Sequence, residues 1–234
     1  MSVFEFFTQN WIVVVVSAVI AYLLGSVNTA VIVTRIVTKG KQDIREMGSG
    51  NAGFTNVLRS VGKVPAIFTI VCDALKSIIS VMIGGILFSI AAQNMENPVS
   101  IIRAGCYISG AFCILGHSFP IYFRFKGGKG IVTAAGMMLV ADWRVFLLIL
   151  ATFLIIFICS KIISLASIIC AVMFPVYTFL MCWGIDCNFY GYSMRYALVC
   201  TLFAFIICVF VVIRHSSNIG RLLRGEEKKI KAKK

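Results

Sequence analysis

The chain has too little charge for a water-soluble protein of 234 residues: 13% of its side chains are charged and 60% are hydrophobic. Soluble domains carry a charged share of about 25% and break their apolar runs every few residues. Nine acidic residues face 22 basic ones, which leaves a net charge of +13. In so hydrophobic a chain that imbalance points to anionic headgroups and phosphate-bearing substrates, not to nucleic acid. The two histidines are far apart in sequence and no CxxC pair occurs among the nine cysteines, so no metal cluster is expected. Most cysteines lie in apolar runs, where a thiol packs as a small hydrophobe. Only Cys182 and Cys187 lie close enough to a loop to be candidates for pairing. The first apolar run lacks a basic n-region and a small-residue cleavage site, so it is expected to persist as a span.

What the chain has in abundance is long apolar segments, with a mean hydropathy of +0.97. They run from Trp11 to Val33, Val64 to Ala92, Ser100 to Leu115, Ile131 to Ala141, Val145 to Cys159, Ile162 to Trp183 and Met194 to Ile213. Helices satisfy their own backbone in lipid. The expected fold class is therefore all-α, a polytopic helical membrane protein of about seven transmembrane segments in one domain over 1–234. Ile131 to Ala141 is too short to cross a hydrocarbon core of about 30 Å alone and reads as a half-helix or a short span beside Asp142.

Basic residues set the expected orientation. With the N-terminus outside, the inner loops hold Arg35, Lys39, Lys41, Arg45, Arg59, Lys63, Arg124, Lys126, Lys129 and Lys161, and eight more follow from Arg214 to Lys234. The outer connections hold Arg103, Arg144 and Arg195. This positive-inside asymmetry requires an odd number of crossings, puts the C-terminus in the cytoplasm and brings every polar motif to the cytoplasmic face.

Five polar stretches interrupt the apolar pattern. The first, Met47 to Arg59 (MGSGNAGFTNVLR), offers Ser49, Asn51, Thr55 and Asn56 as neutral hydrogen-bonding groups and Arg59 as a bidentate fork for phosphate. Helix capping alone would need fewer polar groups. Asp73 and Lys76 lie i, i+3 on one helix face inside a span, either as a functional pair or as an ion pair that fixes packing. Gly116 to Gly130 (GHSFPIYFRFKGGKG) interleaves Gly127, Gly128 and Gly130 with Lys126 and Lys129. Such a loop suits an anion, since glycines let successive N–H groups converge and lysines add charge. It is no Walker loop, because Phe123 and Gly130 stand where that motif needs glycine and Ser or Thr. His117 in the same stretch is either an acid–base group or a structural one. Ser164 and Ser167 lie near the inner interface, where serines usually bond to helix backbone. In the tail, His215, Asn218 and Arg221 are spaced three apart, on one face of a continuing helix, and Lys228 to Lys234 read as a solvated basic end.

Six of these pieces, in order from the first span to the tail, resemble the PlsY family of bacterial integral-membrane acyl-phosphate:glycerol-3-phosphate acyltransferases. They are AYLLGS (Ala21 to Ser26), GSGNAGFTN with Arg59, DALK, GHSFP with FKGGKG, SLASI, and HSSNIGRLLRGEE. The resemblance implies transfer of an acyl group from acyl phosphate to glycerol 3-phosphate, giving lysophosphatidic acid and inorganic phosphate. It also implies seven spans, a place in the bacterial inner membrane and an active site on the cytoplasmic face; no cofactor or metal is expected, since the residues offer no metal cluster. By position, Ser49, Arg59, Lys129, Ser167, His215 and Asn218 match catalytic residues. Gly127, Gly128 and Gly130 match glycines associated with acyl-phosphate binding, Ser164 matches a site serine less surely, and Glu227 matches a structural glutamate. Asn51, Thr55, Asn56, Lys126 and Arg221 are expected to contact substrate, and Asp73, Lys76 and His117 to support the site. Ser77 departs from the family's glycine after the DxxK lysine. Whether a partner enzyme hands over the acyl phosphate stays open.

The soluble-type acyltransferase signature, histidine followed five residues later by aspartate, is absent: Tyr122 and Gly220 stand at those positions. The rival classes are a transporter of phosphorylated lipid, which would use the same anion sites without releasing phosphate, and a structural protein whose basic loops only bind lipid.

Overall fold

The computed structural model describes residues 3–95 and 98–229, so Lys231, Lys233 and Lys234 of the basic tail lie outside the described residues. Among the described residues the fold is all-helical, with six helical segments long and apolar enough to cross a membrane. The chain falls into two compact units, Met1–Ala141 and Asp142–Lys234, within the span expected to be one domain.

In the first unit, α1 (Val3–Gln9) leads into α2 (Trp11–Gly25) and α3 (Thr29–Val37), which together form the first apolar span. The expected run is not one helix. It breaks at residues 26–28, where Asn28 caps α3 by accepting a hydrogen bond from the Val31 amide at 3.2 Å. After α4 (Phe54–Ser60), the long α5 (Lys63–Ala91) packs against α2, α3, α4, α6 (Val99–Ser118) and α7 (Ile131–Ala141). Helix α5 is inside-out by the standards of a soluble helix. Ile67, Val71, Leu75, Ile79, Met82 and Ile86 are exposed along one stripe, while Thr69, Asp73, Lys76, Ser77 and Ser80 are buried on the other. Lipid covers the first face, and on the second Asp73, Lys76 and Ser77 bond to groups outside α5. α6 joins α2 through a 2.7 Å bond between the Ser17 and Ser109 hydroxyls.

The 11 residues of α7 keep the expected bounds and, at 1.5 Å per residue, reach only about 16 Å. It is thus too short to cross alone. Ser77, the departure from the family pattern, tightens the α5–α7 contact: its hydroxyl donates to the Thr133 carbonyl at 2.6 Å.

The second unit holds α8 (Trp143–Ser160), α9 (Ile163–Met181), a wider-wound π segment (Cys182–Cys187), α10 (Asn188–Tyr190), α11 (Met194–Arg214) and α12 (Ser216–Leu223). α9 packs on both α8 and α11. Cys182 and Cys187, the candidate pair, are both free thiols, as are the other seven cysteines. The last span does not continue as one helix: the backbone turns at His215 (φ −98°, ψ 7°) before α12 begins.

Candidate active site

In the first unit, the loop from Lys126 to Gly130 meets the Met47–Arg59 stretch where the Gly128 backbone lies against the Ala52 carbonyl. An apolar cluster of Ala30, Val31, Ile44, Ala52, Val57 and Ala66, with Phe123 packed against it, forms the floor. Asn56 organises the first stretch. Buried to 3% exposure, its amide donates to the carbonyls of Ile44 (3.0 Å) and Met47 (2.9 Å), and its oxygen accepts from the Ser49 amide (3.1 Å). Gly48, with φ +56°, lies where a Cβ would collide with that oxygen. The Asn56 side chain is thereby committed to shaping the loop, which holds Ser49 exposed at its tip and Arg59 exposed on α4. Asn51 and Thr55 are half-buried between them.

The glycine loop departs from the expected nest. The Gly128 N–H donates to the His117 carbonyl at 3.1 Å, so it is turned into the protein. A Cβ on Gly128 would collide with the His117 ring and the Ala52 carbonyl, and one on Gly127 with the His117 carbonyl and Pro120. Here the glycines serve a close approach of backbone to protein, which seats the loop on the end of α6 and against the segment entering α4. Gly130, at φ +84°, turns the chain into α7. Lys126 is exposed and Lys129 half-buried.

Beneath the loop lies a saturated charge cluster. The Lys76 ammonium donates to Asp73 Oδ1 (2.8 Å), the Val27 carbonyl (2.8 Å) and His117 Nδ1 (3.0 Å). An ammonium has three donors, and all three are used. Asp73 lies 3.6 Å from His117 Nδ1, beyond hydrogen-bonding reach. Nδ1 therefore accepts from Lys76, and the ring proton sits on Nε2, the atom that faces Gly128.

In the second unit, the tail folds back so that Glu227 collects three expected residues. Its Oε1 accepts from the Ser164 hydroxyl (2.8 Å) and the Asn218 amide (2.9 Å), and its Oε2 from Arg221 Nε (2.6 Å). Burial pushes the Glu227 carboxyl up, but the bonds from Arg221, Ser164 and Asn218 outweigh it and hold the pKa below the usual range. Asn218 and Arg221 share a face of α12, as their spacing implies; His215 stands at the turn that precedes this helix, and its carbonyl accepts from the Ile219 amide at 2.9 Å. The His215 ring is 3% exposed, with Nδ1 2.8 Å from the Val211 carbonyl. A carbonyl only accepts, so Nδ1 carries a proton, and in the neutral ring Nε2 carries the lone pair. Ser167, 2% exposed, lies one helical turn beyond Ser164 on α9.

Two further networks were not singled out as sites in the sequence. Arg144 bonds Asp142 (2.7 and 2.9 Å) and Asp186 (2.8 and 3.0 Å), and Asp186 also accepts from the Tyr196 hydroxyl at 3.0 Å. This network ties the start of α8 to the π segment and the start of α11, at the opposite end of the second unit from Glu227. In the first unit, Asp43 clamps Arg35 and Arg45 at 2.9 and 2.7 Å. The Arg45 bond leads in holding the Asp43 carboxyl well below the usual carboxylate range. An acidic residue within two positions of an arginine was the only signal for either network.

Three comparisons bear on this arrangement. A family model described as glycerol-3-phosphate acyltransferase matches residues 15–225. A glycerol-3-phosphate acyltransferase of Cupriavidus metallidurans is 39% identical over 217 residues, covering 93% of this chain and 96% of its own. One from Rhodospirillum rubrum is 37% identical over 219 residues, covering 94% and 92%. The chain is also similar to a crystal structure of PlsY, an integral membrane glycerol 3-phosphate acyltransferase, in its glycerol 3-phosphate form. That match has a TM-score of 0.71 and 30% identity, and covers 93% of this chain and 96% of the other.

Proposed function

Because the chain belongs to the glycerol-3-phosphate acyltransferase family, we propose that it transfers an acyl group from acyl phosphate to glycerol 3-phosphate. A glycerol hydroxyl attacks the acyl carbon, the bond from that carbon to the phosphate oxygen breaks, and 1-acylglycerol 3-phosphate and inorganic phosphate leave. Acyl phosphate is already activated, so no acyl-enzyme is needed. Holding two phosphates in a near-attack arrangement supplies much of the acceleration.

The observation that carries this proposal is the joining of two polar motifs at one end of the first unit. The Gly128 backbone lies against the Ala52 carbonyl, two residues before α4, so the loop bearing Lys126 and Lys129 abuts the stretch bearing Ser49 and Arg59. Three cations and a hydroxyl at that end suit phosphate and the charge that develops on the acyl oxygen. Gly127, Gly128 and Gly130 act by seating this loop, and Asn56 by shaping the neighbouring one; Asn51 and Thr55 flank the phosphate. In the second unit, Ser167, His215 and Asn218 orient glycerol 3-phosphate, with Glu227 holding Asn218, Arg221 and Ser164. A substrate phosphate takes the hydroxyl proton. We place the protein in the bacterial cytoplasmic membrane with its N-terminus outside and these motifs facing the cytoplasm, in line with the bias of basic residues.

The test is purified protein in detergent or lipid, supplied with palmitoyl phosphate and glycerol 3-phosphate. Phosphate release that depends on both substrates is expected. Movement of lipid in vesicles without phosphate release would instead make the protein a transporter, and neither activity would leave it a structural protein.

A further inference from the structure

A polar cavity lies in the first unit apart from the residues assigned to the reaction. It measures about 680 Å³ and is walled by Arg35, Lys41 and Arg45 on one side and by Tyr122, Phe123 and Arg124 on the other. Four cations there face two carboxylates, Asp43 and Glu46, and Asp43 is already shared between Arg35 and Arg45. The two walls are tied together by Arg45, whose guanidinium donates to the Phe123 carbonyl at 2.7 Å. Arg124 and Phe125 both adopt left-handed backbone (φ 56° and 57°), a conformation that costs energy outside glycine.

Depth in the membrane identifies the ligand class. Arg35 lies in the last turn of the Trp11–Val37 span, and Phe123 closes the Val99–Phe123 span, so the cavity sits where two spans end. That is the level of lipid headgroups. Ile121, Tyr122 and Phe125, 47%, 57% and 56% exposed, give the rim an apolar and aromatic edge of the kind found at membrane interfaces. A basic pocket between span ends with such a rim suits a lipid phosphate, with the acyl chains leaving along the exposed apolar surface.

We propose that this cavity binds the phosphate of an anionic phospholipid headgroup, with Lys41 and Arg124 as its charged contacts. The binding is independent of acyl transfer, and its test does not read activity. Purified protein is titrated with phosphatidylglycerol and with phosphatidylcholine, and bound lipid is counted by native mass spectrometry. The wild type selects phosphatidylglycerol. The Lys41→Gln/Arg124→Gln variant binds it about 30-fold more weakly, from the usual contribution of each basic residue near a membrane surface. The Lys41→Arg/Arg124→Lys variant, which keeps both charges, retains the lipid and shows that the loss is not a folding defect. Equal binding by wild type and the glutamine variant, or loss in the charge-keeping variant, overturns the proposal. So does inorganic phosphate displacing phosphatidylglycerol at equal concentration, which would make the site one for free phosphate.

Discussion

His117 and His215, one in each unit, are equally covered, at 4% and 3% exposed, yet their partners set them in opposite tautomers. Lys76 donates to Nδ1 of His117, which leaves the proton on Nε2, against the glycine loop. The Val211 carbonyl accepts from Nδ1 of His215, which in the neutral ring leaves Nε2 as an acceptor. The surroundings differ as well. His117 belongs to a cluster whose ammonium has used all its donors, and its ring fills space that a side chain at position 128 would need. His215 occupies a turn between two helices, beside the tail clamp of Glu227. The difference teaches that burial alone does not decide what a buried imidazole can offer a ligand. The partner on Nδ1 does, because it decides what Nε2 can offer.

The comparison breaks most severely at Lys76. Lys76→Met strands Asp73 as a buried charge, and a loss of about 3–5 kcal/mol is expected, measured as thermal unfolding in detergent. Replacing both, as Asp73→Leu/Lys76→Met, restores most of it; no recovery would mean the cluster does more than neutralise itself. No comparable loss is expected for His215→Ala.

Gly128→Ala sharpens the packing side of the comparison. Its Cβ meets the His117 ring and the Ala52 carbonyl, so overpacking of about 1–3 kcal/mol is expected, with a raised KM for acyl phosphate. Adding His117→Ala opens room and recovers part of the stability. If the double variant is no better than Gly128→Ala, the Ala52 carbonyl and not the ring is what makes the glycine necessary.

The smallest effect is expected at Glu227. Its folded pKa lies below its unfolded one, so its ionised form contributes stability above the unfolded value, and that contribution is lost as pH falls through the folded value. Glu227→Gln costs about 1 kcal/mol at neutral pH. The gap between the two proteins in thermal melts should narrow as the buffer is acidified, and a gap that widens would reverse the sign.

Much of the scaffold was legible because hydropathy reports what lipid requires. Ile131–Ala141 kept its expected bounds, set between Gly130 and Asp142. The break at residues 26–28 was hidden because three short residues barely lower the hydropathy of a long window; Asn28, a good helix cap, was the available signal. The spacing of Asp73 and Lys76 foretold their pairing, but not the third partner 41 residues further on. The tail showed the limit of periodicity. Asn218 and Arg221 share a helical face as expected, whereas the helix that carries them does not run on from the last span but restarts after the turn at His215. Glycine-rich loops hold the same ambiguity: sequence shows that a backbone must come close to something, and only packing shows that at Gly128 the something is His117.

The central claim, that His215 acts on the reaction and His117 on the seat of the loop, is tested most directly by measuring kcat, KM and melting temperature for His117→Ala and His215→Ala together, with palmitoyl phosphate and glycerol 3-phosphate. His215→Ala is expected to lose about 100-fold in kcat, with a smaller drop in melting temperature than His117→Ala. His117→Ala should melt lower and raise the KM for palmitoyl phosphate several-fold, with a smaller change in kcat. Near-normal turnover and unchanged glycerol 3-phosphate affinity in His215→Ala, or the same kinetic pattern in both variants, would contradict it.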